Sequence, residues 1–316
     1  MHGSSLPIEM QAVRFHEYGP PDVLHVETAP RPEPGEGEVL VRVQSAGVNP
    51  IDWKYRAGYL QEFVPLELPH IPGFDLSGTV AEVGAGVPNF STGDEVFGSG
   101  SGTYAEYAMA PATTIASKPA AVSFDQAATL AVGGVTAWAS LFEAAKLEPG
   151  QRLLVQGGAG GVGSFAVQLG HWRGAHVIAT ASAANLDLVR RLGADEVIDY
   201  NAARFEDELQ DLDVVFDTVG GEVTDRSWGV LRPGGMLVVI AGTPDTDTAS
   251  ARGVRTSGTQ APEVTSPILA KLAALVESGE LDPQVGETFA LADAARAHAA
   301  SETGHGHGRI VLHVAS

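Results

Sequence analysis

Cysteine is absent from the chain. That excludes disulfides, thiol nucleophiles and every zinc site with a thiolate among its ligands. Basic residues are scarce, with 19 Lys and Arg against 39 Asp and Glu, a formal charge of −20. Such a surface repels phosphate backbones and anionic lipid, so neither a nucleic acid nor a membrane is an expected partner. No apolar run approaches the roughly 18 uncharged residues of a membrane span, and the basic-then-apolar layout of a signal peptide is missing. A cytoplasmic protein is expected. H-E-x-x-H is missing too, and "GSGSG" at 98–102 lacks the central serine of G-x-S-x-G, which removes two hydrolase templates.

What is present reads as globular. The hydrophobic share of 44% and the charged share of 18% argue against disorder as the main state. The 316 residues, at roughly 150 per domain, predict about two domains. The opening "MHGSSLPIE" does not fit the strand pattern that starts at Met10 and reads as an added leader.

From Met10 to about Lys118 short β-like runs such as "EVLVRVQSAGV" and "SGTVAEVGAGV" are broken by Gly and Pro, the texture of a mostly antiparallel β domain. "SFDQAATLAVGGVTAWASLFEAA" has helical spacing, and beyond it strands alternate with helices of about ten residues: "RLLVQ", "VGSFAVQLGHW", "AHVIATA", "AANLDLVRRLG", "EVIDY". This α/β alternation predicts a doubly wound parallel sheet with helices on both faces. "PILAKLAALVESGEL" reads as an amphipathic helix stopping at Gly279. The tail reads as one helix, a "GHGHG" turn and a last strand, "GRIVLHV", that needs a sheet to join.

Where "RLLVQ" ends and a helix begins, Gly158, Gly160 and Gly163 satisfy G-x-G-x-x-G, with Ala159, Gly161 and Val162 completing the turn. In that setting Gly158 is expected to permit the tight turn, Gly160 to let the backbone approach a pyrophosphate, and Gly163 to let helix pack on strand. The phosphate then meets the positive end of the helix dipole. The end of the second strand presents Thr180, Ala181 and Ser182, and no acid before Asp187. A carboxylate there would repel a 2′-phosphate, so its absence favours NADP(H), although no Arg or Lys directly follows Ser182.

With those stretches the chain resembles the medium-chain dehydrogenase/reductase superfamily, in its zinc-free quinone oxidoreductase branch. "AGVNPIDWKYRAG" (46–58), "IPGFDLSGTVAEVGAGV" (71–87), "GDEVFG" (93–98), "GTYAEY" (102–107), "QGGAGGVGSFAVQL" (156–169), "LGADEVIDY" (192–200), "VFDTVGG" (215–221) and "GHGHGRIVLHV" (304–314) carry the resemblance across nearly the whole length. It implies a GroES-like catalytic domain over 10–124, a Rossmann cofactor domain inserted at 125–280, and a return to the catalytic domain over 281–316. Zinc-dependent relatives carry Cys where this chain has Asn49 and a His-Glu pair where it has Phe74 and Asp75. No zinc is therefore expected, and simple alcohol oxidation is disfavoured.

The resemblance further implies that Asn49 lies near the nicotinamide ribose, in an orienting or charge-stabilising role. The alternative is an Asn that only organises the turn before Pro50. Lys54, Tyr55 and Tyr59 are candidate proton donors, with Tyr59 the one carried forward as catalytic. Asp52 is read as structural, accepting from backbone or from Arg56. Phe74 is expected to floor an apolar acceptor site, and Asp75 to fix nearby backbone. Cofactor contacts are expected from Thr136, Tyr200, Thr218, Val219, Gly220, Ala241 and Gly242. His305 and His307 lack a third ligand and read as a solvated loop.

The polar stretch 251–266, broken by Gly258 and Pro262, replaces the apolar edge strand through which relatives commonly pair, and reads as loop; a homodimer is still expected. The predicted activity is hydride transfer from NADPH to an apolar electrophile, a quinone or an α,β-unsaturated carbonyl. The alternatives are an aldehyde or ketone reductase and a non-catalytic NADPH-binding redox sensor.

Overall fold

Short apolar runs punctuated by turn residues build the first third of the chain. The computed structural model describes residues 6–258 and 263–314. Strands β1 (Glu9–Arg14) and β2 (His25–Pro30) form an antiparallel ribbon. There follow β3 (Glu38–Val48), α1 (Pro50–Arg56), β4 (Asp75–Val83), β5 (Glu95–Ser99), β6 (Tyr107–Pro111) and β7 (Ile115–Ser117). Helices α2 (Phe124–Ala127) and α3 (Leu130–Trp138) lead out, and a π-helical turn, Ala139–Ala144, extends α3. Most of α3 is buried, as its run of apolar and small residues requires.

The alternating half runs β8 (Arg152–Gln156), α4 (Gly163–Arg173), β9 (His176–Ala181), α5 (Leu186–Arg191), β10 (Glu196–Asp199), α6 (Phe205–Glu208), β11 (Leu212–Asp217), α7 (Glu222–Ser227), β12 (Leu231–Val239), α8 (Thr246–Arg252), β13 (Arg255–Ser257) and α9 (Ser266–Glu277). Its strands form one parallel sheet in the order β10-β9-β8-β11-β12-β13, the doubly wound arrangement whose switch point lies between β8 and β11. The chain then returns through β14 (Val285–Ala290), α10 (Ala294–Glu302) and β15 (Arg309–His313). β15 pairs antiparallel with β3, and the second sheet has the order β14-β15-β3-β4-β5-β7, with β6 also on β3.

Three cores follow. One lies between the parallel sheet and α3, α4 and α9, with Phe165, Leu169, Leu269 and Leu272 in it. A second, around Phe205, Trp228 and Leu237, fills the opposite face. A third, around Phe15, Val41, Leu76 and Tyr104, fills the β region.

The structure departs from the sequence expectations in three places. The stretch 251–266 is not all loop, because Arg255–Ser257 pairs with Met236–Val238 as the sixth parallel strand. Its polar character fits an edge position with one open side. β14 was not foreseen, since half of "VGETFA" is exposed and it has only β15 to pair with. Nor was α1, a seven-residue helix inside the β region. The leader positions 1–5 and Pro262 lie outside the described residues.

Candidate active site

The site is assembled where the two sheets meet. β3 delivers Asn49 as the residue before α1, with Pro50 in the first helical position, where its missing N–H costs nothing. The turn is organised by Asp52, whose Oδ2 accepts from Asn49 N at 2.8 Å. Asn49 and Asp52 thus form a capping box at the start of α1, so Asn49 does organise this turn, and its side chain has a further contact besides. Its Nδ2 donates to Asp75 Oδ2 at 3.0 Å, while its Oδ1 is buried without a protein partner.

Asp75, first residue of β4, is fully buried. Its Oδ1 accepts from Val132 N of α3, and its Oδ2 from Asn49 Nδ2 and Arg309 Nη2, each at 3.0 Å. Burial pushes its pKa up while the Arg309 guanidinium and these donors pull it back. Every partner is a donor, so the geometry holds the carboxylate form. Removing one partner of such a buried pair costs about 3–5 kcal/mol. Asp75 thus fixes backbone, as expected, and a side chain as well.

Asp52 is also fully buried, and burial pushes its pKa to about 7, with neighbouring Asp75 adding to the rise and the Asn49 N–H opposing it. Its side-chain partner is Tyr104, whose hydroxyl donates to Oδ2 at 3.0 Å. Arg56, the partner expected from sequence, instead donates to Gly19 O at 2.7 Å and pairs with Glu302. His298 Nε2 lies 3.4 Å from the Tyr104 hydroxyl and is held neutral, its pKa lowered to about 3 mainly by burial. Tyr104, His298 and Arg309 were missed from sequence. Tyr104 and Arg309 sit inside stretches that carry the resemblance, but nothing local marks them as partners of Asp52 and Asp75.

Tyr59 stands apart from this cluster. It follows the end of α1, is 69% exposed, and lies edge-on to Trp53 with ring centroids 5.7 Å apart. Phe74, with Tyr55 5.8 Å away ring to ring, walls a cavity of about 170 Å³ that Asp52, His70 and Ser101 also line.

Across the cleft, the glycine turn is braced from both sides. Thr180, buried in β9, accepts from Gly157 N at 3.0 Å and donates to Gln156 Oε1 at 2.8 Å. Its hydroxyl proton is thereby committed inside the sheet, so Thr180 supports the turn instead of presenting a free donor to a ribose. Thr218 does the same from β11, donating to Gln156 O at 2.7 Å. The positive φ of the turn falls on Gly157 (+74°), one place before the expected Gly158. A Cβ on Gly163 would lie 2.1 Å from Gly157 O, which is the close helix-to-strand approach expected there. Around Gly160 the only atom that near is Gly157 O at 3.3 Å, so the space above it is open.

Ser182 and Tyr200 meet at the adjoining sheet end, where Tyr200 N donates to Ala181 O and Ser182 Oγ accepts from Asn185 Nδ2. Asp217 Oδ1 holds Val219 N and Gly220 N at 2.8 and 2.9 Å, and Gly220 packs against Ala241, next to Gly242. Thr136 lines a larger cavity of about 560 Å³ that runs past Glu143 and Ile240 to Ser257 on β13.

Comparison with known proteins gives two family matches: an alcohol dehydrogenase GroES-like domain over residues 35–120 and a zinc-binding dehydrogenase over residues 192–312. The 2-methylene-furan-3-one reductase of Solanum lycopersicum is 37% identical over 98% of this chain and 80% of its own length. The chloroplastic NADPH-dependent alkenal/one oxidoreductase of Arabidopsis thaliana is 37% identical over 98% of this chain and 81% of its own. The solved quinone oxidoreductase of Coxiella burnetii superposes with a TM-score of 0.88 at 35% identity, over 97% of this chain and all of that one.

The zinc in one family description does not fit this donor set. Asn49 and Phe74 offer neither thiolate nor imidazole, and Asp75 is already paired with Arg309. A dinucleotide does fit, with an open glycine turn at a helix N-terminus and the unpartnered Asn49 Oδ1 on the other side of the cleft.

Proposed function

The chain belongs to the medium-chain dehydrogenase/reductase superfamily, and from that membership and this geometry we propose that it is a zinc-independent oxidoreductase reducing quinones or α,β-unsaturated carbonyls with NADPH. The observation that carries the proposal is the Asn49 side chain, fixed by Asp75 through its amide N–H and left with a buried Oδ1 that makes no hydrogen bond within the described residues. Such an acceptor is matched by a ribose hydroxyl of a nicotinamide nucleotide.

When bound, the nicotinamide supplies a hydride. The residues of the chain bind, orient and exclude water. Ala159, Gly161, Val162 and Gly163 would hold the pyrophosphate by backbone N–H groups at the start of α4, while Gly158 and Gly160, whose N–H groups donate to Thr180 O and Gly157 O, would shape the turn that receives it. Ser182 and Tyr200 flank the adenosine 2′ position, and the lack of a carboxylate there supports NADP(H) over NAD(H). Thr136 would lie near the phosphates, and Thr218, Val219, Gly220, Ala241 and Gly242 would border the nicotinamide half. Phe74 and Tyr55 floor the acceptor pocket, which keeps a planar electrophile dry and close to the cofactor.

Without a Lewis acid, charge developing on the acceptor oxygen rests on hydrogen-bond donors. A conjugated or quinonoid acceptor needs less such help than an isolated carbonyl. This is why alcohol and simple ketone chemistry is the weaker alternative. The protein is further proposed to work in the cytoplasm as a homodimer through the open edge of β13. Its proposed domains are 10–124 with 281–316, and 125–280.

The test is NADPH oxidation in the presence of a chelator with a quinone, an enone and the matching saturated ketone. Turnover of the first two alone supports the proposal. Turnover of the ketone at equal rate, or NADPH binding with no turnover at all, overturns it in favour of a carbonyl reductase or a sensor.

A further inference from the structure

The last strand reaches both ends of the cleft. Gly308 N donates to Ala159 O at 2.8 Å, and Gly308 forms an isolated parallel bridge with Gly160. The next residue, Arg309, is buried and runs through a slot between the glycine turn and α3. A Cβ on Gly161 would lie 2.9 Å from Arg309 Cγ, and one on Gly133 would lie 2.9 Å from Arg309 Nη1. The slot exists because both positions lack side chains. At its far end Arg309 Nη2 reaches Asp75 Oδ2 at 3.0 Å, the same oxygen that takes Asn49 Nδ2.

A buried ion pair is a poor device for stability alone, since an apolar side chain of similar volume avoids the desolvation cost. Here one of the guanidinium nitrogens, Nε, has no partner. What the pair does achieve is geometric. It fixes the Asn49 amide with Nδ2 on the carboxylate and Oδ1 turned away from it, from an arm whose stem touches the glycine turn.

We propose that Arg309 is a positioning residue that couples seating of a dinucleotide on the glycine turn to the orientation of Asn49. The inference rests on the dinucleotide reading of the turn. Its physical content is a contiguous path: turn backbone at Gly161, Arg309 stem, guanidinium, Asp75 carboxylate, Asn49 amide. Displacement at one end is transmitted because Arg309, Asp75 and Asn49 are all buried and the Arg309 stem packs directly on Gly161.

The test uses the neutral pair Asp75→Asn with Arg309→Met, which removes both charges together so that neither is left buried alone. NADPH affinity is read by nicotinamide fluorescence and folding by thermal melting, so neither readout depends on an acceptor. In the wild-type background Asn49→Ala is expected to weaken NADPH about tenfold. In the neutral-pair background NADPH is already weakened about tenfold, and adding Asn49→Ala changes it less than about twofold, the non-additivity of groups acting as a unit. If the neutral pair does not fold, Arg309→Lys carries the same comparison, since it keeps a charge for Asp75 but loses the planar fork. Full additivity with Asn49→Ala, or wild-type NADPH affinity in the folded variant, overturns the coupling. Failure of the wild-type protein to bind NADPH overturns the dinucleotide reading itself, and the inference with it.

Discussion

The phenol of Tyr104 donates to Asp52 Oδ2 across 3.0 Å, and both side chains are closed off from solvent. Burial disfavours the charged carboxylate, and its pKa rises from 3.8 to about 7. Its native form binds a proton more tightly than its unfolded form. The stability this contributes is fully present below about pH 3.8 and is lost as pH rises through about 7. Asp52→Asn keeps an acceptor for Tyr104 and for Asn49 N and cannot ionise. Its melting temperature relative to wild type is expected to climb between pH 5 and pH 8.5, by on the order of 5 °C. A constant difference across that range refutes the raised pKa.

Gly160 and Gly163 make separable predictions. A methyl on Gly163 meets Gly157 O at 2.1 Å, backbone against backbone, and α4 has to shift for it to fit. Gly163→Ala is expected to lower stability by about 2 kcal/mol or more. Gly160→Ala meets only Gly157 O at 3.3 Å, so folding is expected to change by less than about 1 kcal/mol. Its methyl stands where a pyrophosphate has to approach, and NADPH affinity is expected to fall about tenfold or more. Thermal melting and NADPH titration on the two variants check the split.

Cofactor choice is predicted to turn on Ser182. Its side chain closes the end of β9 with Asn185, beside Tyr200. Ser182→Asp places a carboxylate where a 2′-phosphate would lie, repelling it while offering a ribose diol two acceptors. The ratio of kcat/KM for NADPH over NADH is expected to fall about 10- to 100-fold. An unchanged ratio moves the 2′ site elsewhere.

The parts of this fold that could be read in the sequence are those with strong local signals. The turn after "RLLVQ" lies where a strand ends and a helix starts, and Gly163 makes the close approach its spacing implied, while the positive φ falls one place early, on Gly157. The strand "GRIVLHV" found its sheet through Ile310 opposite Val48. Hidden from the sequence were contacts between distant segments. Arg309 meets Asp75 over 234 positions, and His298 meets Tyr104 over 194. Asp52 has an Arg four places on, a common helical pairing, yet the burial of Arg56 against Glu302 and Gly19 takes that option away. β13 was concealed for the opposite reason, because an edge strand needs little apolar character.

Asn49 and Tyr59 differ in how they are held: one is buried on Asp75, the other is largely solvated on Trp53. Asn49 is held by Asp75 at 3.0 Å on one side and offers a buried acceptor on the other, so its loss disturbs the placement of whatever binds there. Misplacement of reacting groups by about 1 Å costs on the order of 100-fold in rate. Asn49→Ala is therefore expected to lower kcat by about that factor with a quinone or enone acceptor. Tyr59 is largely solvated and rests on Trp53, away from the Asp52 and Asp75 cluster. Tyr59→Phe keeps the ring contact and removes only the hydroxyl, so turnover is expected to stay within about twofold of wild type. Rates measured at saturating NADPH and across pH 6–9 decide between them. A Tyr59→Phe variant losing as much as Asn49→Ala would make the phenol the proton source after all, and would require the segment after α1 to close over the acceptor during turnover.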